Sequence, residues 1–198
     1  QKVKDGKINP EDIDENAIIK SCTNSSNIIK ANFSTGHCGG IVGYCEGNIT
    51  GCSNYGQISG NNLGGIAGQI MATSTISDCS NHANMNSISG AATYDLVLGG
   101  IVGRNRGTIL NCYNDKIEIN GQYGIDTTST QTTGCIYLGG IAGANHNQIQ
   151  KSYNLGSISG TSYDNESTSS TGDIVCIGGI AGLNYEANII TNISNCYN

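Results

Sequence analysis

The chain has 198 residues and a net charge of −6, with 29 Gly, nine Cys, one Phe, one Pro and no Trp. Its core must therefore be built from Ile, Val, Leu, Ala and Cys. Only two Arg are present, Arg104 and Arg106, which argues against a nucleic-acid surface, since that needs clustered cations. No apolar run approaches the roughly 20 residues that cross a bilayer, and no basic-apolar leader opens the chain.

Five of the fifteen acidic residues fall within the first fifteen positions, so residues 1–17 read as an acidic lead-in or cap. Within it, "DGKINPEDID" (Asp5 to Asp14) is similar to the latter half of an EF-hand or dockerin calcium loop. The first two ligand places would fall on Gln1 and Val3, which supply no carboxylate. A solvated turn leading into a short helix over Pro10 to Ala17 is expected instead, covering the open first rung.

From residue 18 to 198 one phrase recurs. "GGI[AV]G" begins at Gly39, Gly64, Gly99, Gly139 and Gly178, at intervals of 25, 35, 40 and 39 residues, each preceded by Cys38, Leu63, Leu98, Leu138 or Ile177. I-x-x-[CS]-x-N follows, with Cys52, Cys79, Cys112, Ser152 and Cys196 at its fourth place and a partial copy around Cys22. A third element carries Ile58, Ile88, Ile119 and Ile158. Three β-prone stretches in a core unit of about 25 residues make one coil of a solenoid, whereas a propeller blade needs about 40. The expected fold is all-β: a parallel β-solenoid or β-helix, taken as right-handed, of five to six rungs. The longer intervals arise from insertions just before the next Gly pair, which places long loops on one edge.

The Gly pair is expected to permit a tight bend or a close approach between coils. Asn24, Asn54, Asn81, Asn114, Asn154 and Asn198 are expected at a turn with positive φ, their amides joined in an internal ladder. The repeat cysteines are expected to be free, buried packing thiols: Ser152 replaces one of them, and in-register side chains point in parallel, unlike the halves of a disulfide. Cys38, Cys45 and Cys52 beside His37 form the best metal candidate, but burial explains Cys38, and the C-x2-C spacing typical of zinc sites is absent. No metal and no cofactor is expected. Ice binding through flat Thr rows finds no fixed rung position to support it.

"GGIVGRNRGTILNCYN", Gly99 to Asn114, resembles the repeat of the GLUG motif family of bacterial surface proteins, and the resemblance runs from residue 18 to 198. The resemblance implies a piece of a larger secreted or wall-attached protein, such as an adhesin or a streptococcal-type immunoglobulin A protease. It implies no catalytic residues, and H-E-x-x-H is absent. The expected function is thus a non-catalytic spacer or adhesin-type binding scaffold, extracellular or at the cell surface. Its partners would be a host or environmental glycan or protein, together with other domains of a longer chain. The alternative is a polysaccharide-processing β-helix enzyme, a lyase or hydrolase, which would need converging carboxylates or a basic residue. Candidate ligand-binding residues lie in the insertions: Tyr94, Asp95, Tyr123, Tyr163 and Asp164, where Tyr offers a flat ring and Asp accepts from hydroxyls.

Overall fold

The computed structural model describes residues 18–29, 36–87, 95–115, 117–122, 135–161, 174–185 and 191–198. The lead-in over 1–17 lies outside them. Among the described residues every regular element is a strand. Five sheets run side by side, and each takes one strand from every coil, so that all pairings are parallel. Sheet I holds Ile18–Lys20, Asn48–Thr50, Thr75–Ser77, Thr108–Leu110, Gln148–Gln150 and Asn192–Ser194. Sheet II begins at Thr23–Asn24, sheet III at Ile28–Ile29, sheet IV at Cys38–Gly39 and sheet V at Val42–Cys45, and each has five strands. The fold is a parallel β-solenoid of five coils, with a sixth begun by Asn192–Ser194.

Each coil carries five short strands where the sequence pattern predicts three. The extra two come from splitting: "GGI[AV]G" bends between the end of a sheet IV strand and the start of a sheet V strand, and I-x-x-[CS]-x-N bends between sheets I and II. Two-residue strands give too little alternation to be counted separately.

The repeat phrases fall in register. Gly39, Gly64, Gly99, Gly139 and Gly178 are successive partners, as are Cys38, Leu63, Leu98, Leu138 and Ile177. Sheet I aligns Ile19, Ile49, Ile76, Ile109, Ile149 and Ile193 in one column. In sheet III the column reads Ile28, Ile58, Met85, Ile119, Ile158. Met85, not Ile88, thus holds the third coil's place, since the unbranched Met fills the same volume; Ile88 lies outside the described residues.

The interior has two apolar columns. One joins sheets I and V through Ile49, Ile66, Ile70, Ile76, Ile101 and Ile109, and the other joins sheets III and IV through Ile58, Leu63, Met85, Leu96, Leu98 and Ile119. Between them runs the Asn row. Each amide donates to the carboxamide oxygen of the next coil: Asn24 to Asn54 at 2.7 Å, Asn54 to Asn81 at 2.8 Å, Asn81 to Asn114 at 3.1 Å, Asn114 to Asn154 at 2.7 Å and Asn154 to Asn198 at 2.5 Å. Asn54 also donates to Gly56 O and accepts from Gly56 N–H, so all four of its hydrogen-bonding places are filled. A buried amide left without partners costs about 1–3 kcal/mol, which is why the row must be continuous.

The Gly pair lies against this row. A Cβ on Gly65 would stand 2.5 Å from Asn81 Cγ and one on Gly100 2.6 Å from Asn114 Cγ, and each would also strike the carbonyl of the corresponding glycine one coil on. Positive φ belongs elsewhere than the ladder Asn. It falls on Ser21, Gly51, Asp78, Asn111, Lys151 and Asn195, the residues just before the Cys/Ser place, because there the chain turns between sheets I and II, and on Gly60 in the short sheet III–IV connection. The ladder Asn themselves sit in extended strands, where their side chains point inward.

Three substitutions separate these roles. Gly100→Ala is expected to destabilise the protein by about 4 kcal/mol or more, and Asn114→Ala by about 2–4 kcal/mol, since it strands the amides of Asn81 and Asn154. Gly51→Asn should be neutral or stabilising by up to about 1 kcal/mol, because φ is +61° there, the nearest atom to an added Cβ is Ser21 Oγ at 3.8 Å, and Asn already fills that turn at Asn111 and Asn195. Chemical denaturation of the three variants gives the ranking, and a benign Gly100→Ala would refute the contact between Gly pair and ladder.

Candidate functional site

The insertions converge on one corner, as expected. Residues 30–37, 60–61, 87–95, 123–135 and 162–174 all connect a sheet III strand to a sheet IV strand. Most of each long connection, with Tyr94, Tyr123, Tyr163 and Asp164, lies outside the described residues. Asp95 is described and stands at the foot of this corner. Its Oδ2 accepts from Arg104 at 3.1 Å and its Oδ1 from the Cys135 N–H at 3.1 Å. It thereby ties the end of one insertion to the end of the next. Beside it, a hydrogen bond with Cys135 and partial burial push the Tyr137 hydroxyl well above its ordinary pKa, keeping it a neutral donor.

A second surface escapes the sequence pattern. On sheet II the Asn ladder points inward, so the flanking residues point out in two columns. One column reads Thr23, Ser53, Ser80, Tyr113 and Tyr153, and the bridge from Tyr153 adds Tyr197. Two residues further along the chain, Tyr55 and His82 stand in neighbouring coils. Their rings form one continuous strip: Tyr55 stacks on His82 with centroids 4.6 Å apart, His82 meets the edge of Tyr113 at 5.5 Å, Tyr113 stacks on Tyr153 at 5.1 Å and Tyr153 on Tyr197 at 4.9 Å. The three near-parallel pairs, with interplanar angles of 3–7°, stack face to face along the solenoid axis. Tyr55, Leu155 and Tyr197 are about half exposed. The available signal was the residue following each repeat Cys or Ser, which is Tyr in the three later coils.

His82 is fixed at the centre of the strip. Its Nδ1 lies 2.9 Å from Asp115 Oδ2 and its Nε2 2.9 Å from Ser80 Oγ, which in turn lies 3.0 Å from Ser53 Oγ. This is the hydrogen-bond order of a Ser–His–Asp triad. Acyl transfer also needs N–H donors aimed at the developing oxyanion. Here the N–H groups of Ser80, His82, Tyr113 and Asp115 all donate to carbonyls of the preceding coil, at 2.8–3.0 Å. The parallel ladder leaves none of these four N–H groups for an oxyanion, and the trio holds the His82 ring between Asp115 and Ser80.

The cysteine row is more polar than close packing requires. Cys52, Cys79, Cys112 and Ser152 are buried, while Cys22 is exposed and Cys196 half-buried. The Cys22 N–H donates to Cys52 Sγ and the Cys52 N–H to Cys79 Sγ, both at 3.3 Å, and the Cys112 N–H donates to Ser152 Oγ at 3.1 Å. Each side chain in turn donates to the carbonyl two residues back, as Cys79 does to Ser77 O at 3.1 Å and Ser152 to Gln150 O at 2.9 Å. A small side chain that both donates and accepts is what the place selects, which explains Ser152. Cys38, Cys45 and Cys52 stand in different sheets or turns, and among the described residues no three His, Cys, Asp or Glu are grouped to hold a metal ion. Among the described residues no two cysteines are joined in a disulfide. Among the described residues no helix is long and apolar enough to cross a membrane.

Compared with protein-family models, curated proteins and solved structures, the chain matches none.

Burial pushes the Cys45, Cys52 and Cys112 thiols up, Cys112 furthest; between the hydrogen-bonded Cys79 and Cys112, the deeper Cys112 keeps its proton. A thiol raised by folding stabilises the fold fully below its unfolded pKa of about 8.5, and that contribution is lost as pH climbs towards the folded value. The denaturation midpoint should therefore fall between pH 7.5 and pH 10, and Cys112→Ser should reduce that fall while folding normally. At pH 7.5 a thiol reagent should label Cys22 readily and leave Cys52, Cys79 and Cys112 untouched until the protein is denatured. Rapid native labelling of Cys112 would overturn this account.

Proposed function

We propose that this chain is a non-catalytic repeat module, of the GLUG type its motifs resemble, acting as a spacer and adhesin-like binding scaffold in a secreted or cell-surface bacterial protein. The observation that carries the proposal is a division of labour in the coil. The residues that the repeat holds constant, the Gly pair, the Ile column, the Cys/Ser place and the Asn ladder, all bond or pack from coil to coil. Most variation in length gathers at the corner between sheets III and IV, where connections run from two residues, Gly60 and Asn61, to the long stretch 162–174, and one longer connection, 185–191, joins sheet V to sheet I. Such a frame tolerates change at one edge without disturbing its register. Its partners are a glycan or protein of the host or surroundings and neighbouring domains of a longer chain.

The fragment screened on glycan and extracellular-matrix protein arrays is expected to bind without altering what it binds. Release of new reducing ends or unsaturated sugars from a bound polysaccharide would replace this reading with the lyase or hydrolase alternative.

A further inference from the structure

The geometry points to the outer face of sheet II as a binding site for an extended, uncharged, β-linked polysaccharide lying along the solenoid axis, with one sugar over each coil. This rests on the reading of the chain as a non-catalytic binding module and moves the contact from the insertion corner to the aromatic strip.

Spacing is the first argument. Tyr113, Tyr153 and Tyr197 present rings and hydroxyls at 5.1 and 4.9 Å intervals in a straight row, set by the strand spacing of about 4.8 Å. An extended β-1,4-linked glycan advances by nearly the same step per sugar, so one ring edge and Oη stands opposite each sugar, with successive sugars turning alternate faces to the row. The chemistry agrees. The edges and hydroxyls of a stacked row of rings suit the C–H and hydroxyl groups of a pyranose, and the row is flanked by groups that bond hydroxyls: Ser53 and the half-exposed Asp115 carboxylate, whose Oδ2 is oriented by His82. Leu155, about half exposed, adds an apolar contact beside Tyr153.

Other polymers fit this face less well. A peptide adding as a strand needs an open sheet edge, whereas the inner strands of sheet II are paired on both sides. Single-stranded nucleic acid stacks on aromatic rows only where a cationic groove tracks its backbone, and the two outward columns of sheet II carry no Lys or Arg among the described residues. An anionic polysaccharide would meet the Asp115 carboxylate, and among the described residues the two outward columns carry no Lys or Arg to offset it.

Cellopentaose and chitopentaose titrated calorimetrically, together with retention on insoluble cellulose and chitin, test the site. Tyr113→Ser and Tyr153→Ser copy the residue that Ser53 and Ser80 already place in this column, so the coil is expected to fold. Leu155→Glu leaves the stacked rings untouched and adds charge to the face. Binding to at least one oligosaccharide is expected, weakened by about tenfold or more in each Tyr variant, the value of one aromatic contact. Leu155→Glu should weaken it as well, while replacing 123–135 by Gly-Asn should not. Circular dichroism and thermal unfolding certify the fold of each variant. Binding abolished by shortening 123–135 but indifferent to the Tyr and Leu155 variants would overturn this site and leave the scaffold reading intact. Hydrolysis of the oligosaccharide with unchanged Tyr dependence would instead overturn the scaffold reading and keep the site. Failure to bind any neutral β-linked glycan, or binding confined to matrix proteins or nucleic acid, would refute the proposal.

Discussion

The fold hangs on one contact: the Asn ladder pressed against the paired glycines across the coil. An unpaired amide inside an apolar core is costly, so each Asn must find its counterpart one coil away, and that need fixes the register of every sheet at once. The glycines make the ladder possible because only a residue without a Cβ leaves room for the amide between the two apolar columns. Remove either partner and the coil loses the spacer that keeps its two columns apart. A second amide ladder, Asn105 to Asn145 at 2.6 Å and Asn145 to Asn184 at 2.7 Å, reinforces the later coils; the earlier ones hold Cys45 and Ile70 at that place.

This construction explains the uneven length of the repeats. Successive ladder Asn are 30, 27, 33, 40 and 44 residues apart, yet their amides meet within 2.5–3.1 Å. Added residues do not change the coil's circumference, because they leave the wall at a bend. Most of the added length joins a sheet III strand to a sheet IV strand, and residues 185–191 join sheet V to sheet I. The closure entropy of a longer loop rises only slowly with its length, so the frame accepts such growth at little cost to its stability.

The same regularity that stabilises the wall creates a surface. Stacking identical strands at about 4.8 Å repeats any outward side chain at that interval, and in sheet II this turns three Tyr, far apart in sequence, into one row. His82 carries the strip across the step where the aromatic residue changes column, held by Asp115 on one ring nitrogen and Ser80 on the other. The parallel pairing that builds the strip also occupies the neighbouring backbone N–H groups of Ser80, His82, Tyr113 and Asp115, so the strip meets its surroundings through side chains.

Much of this was legible in the chain itself. The spacing of the Gly pairs, the Ile column, the Asn ladder and the common corner of the insertions follow from repetition, because a repeat that stacks must put like residues together. The number of strands per coil was not legible, since two-residue strands show no period, nor was the seat of positive φ, which falls on a position filled by Ser, Gly, Asp, Asn and Lys alike. Met85 in an Ile column was hidden by relying on residue identity where volume decides. Asp95 was singled out from the sequence, but its engagement with Arg104 and Cys135 was not visible there, because those partners come from two different coils. The aromatic strip was likewise invisible: Tyr55, His82 and Tyr113 occupy different places in the repeat, and only the lateral packing of coils, which sets columns side by side as well as in line, brings their rings together.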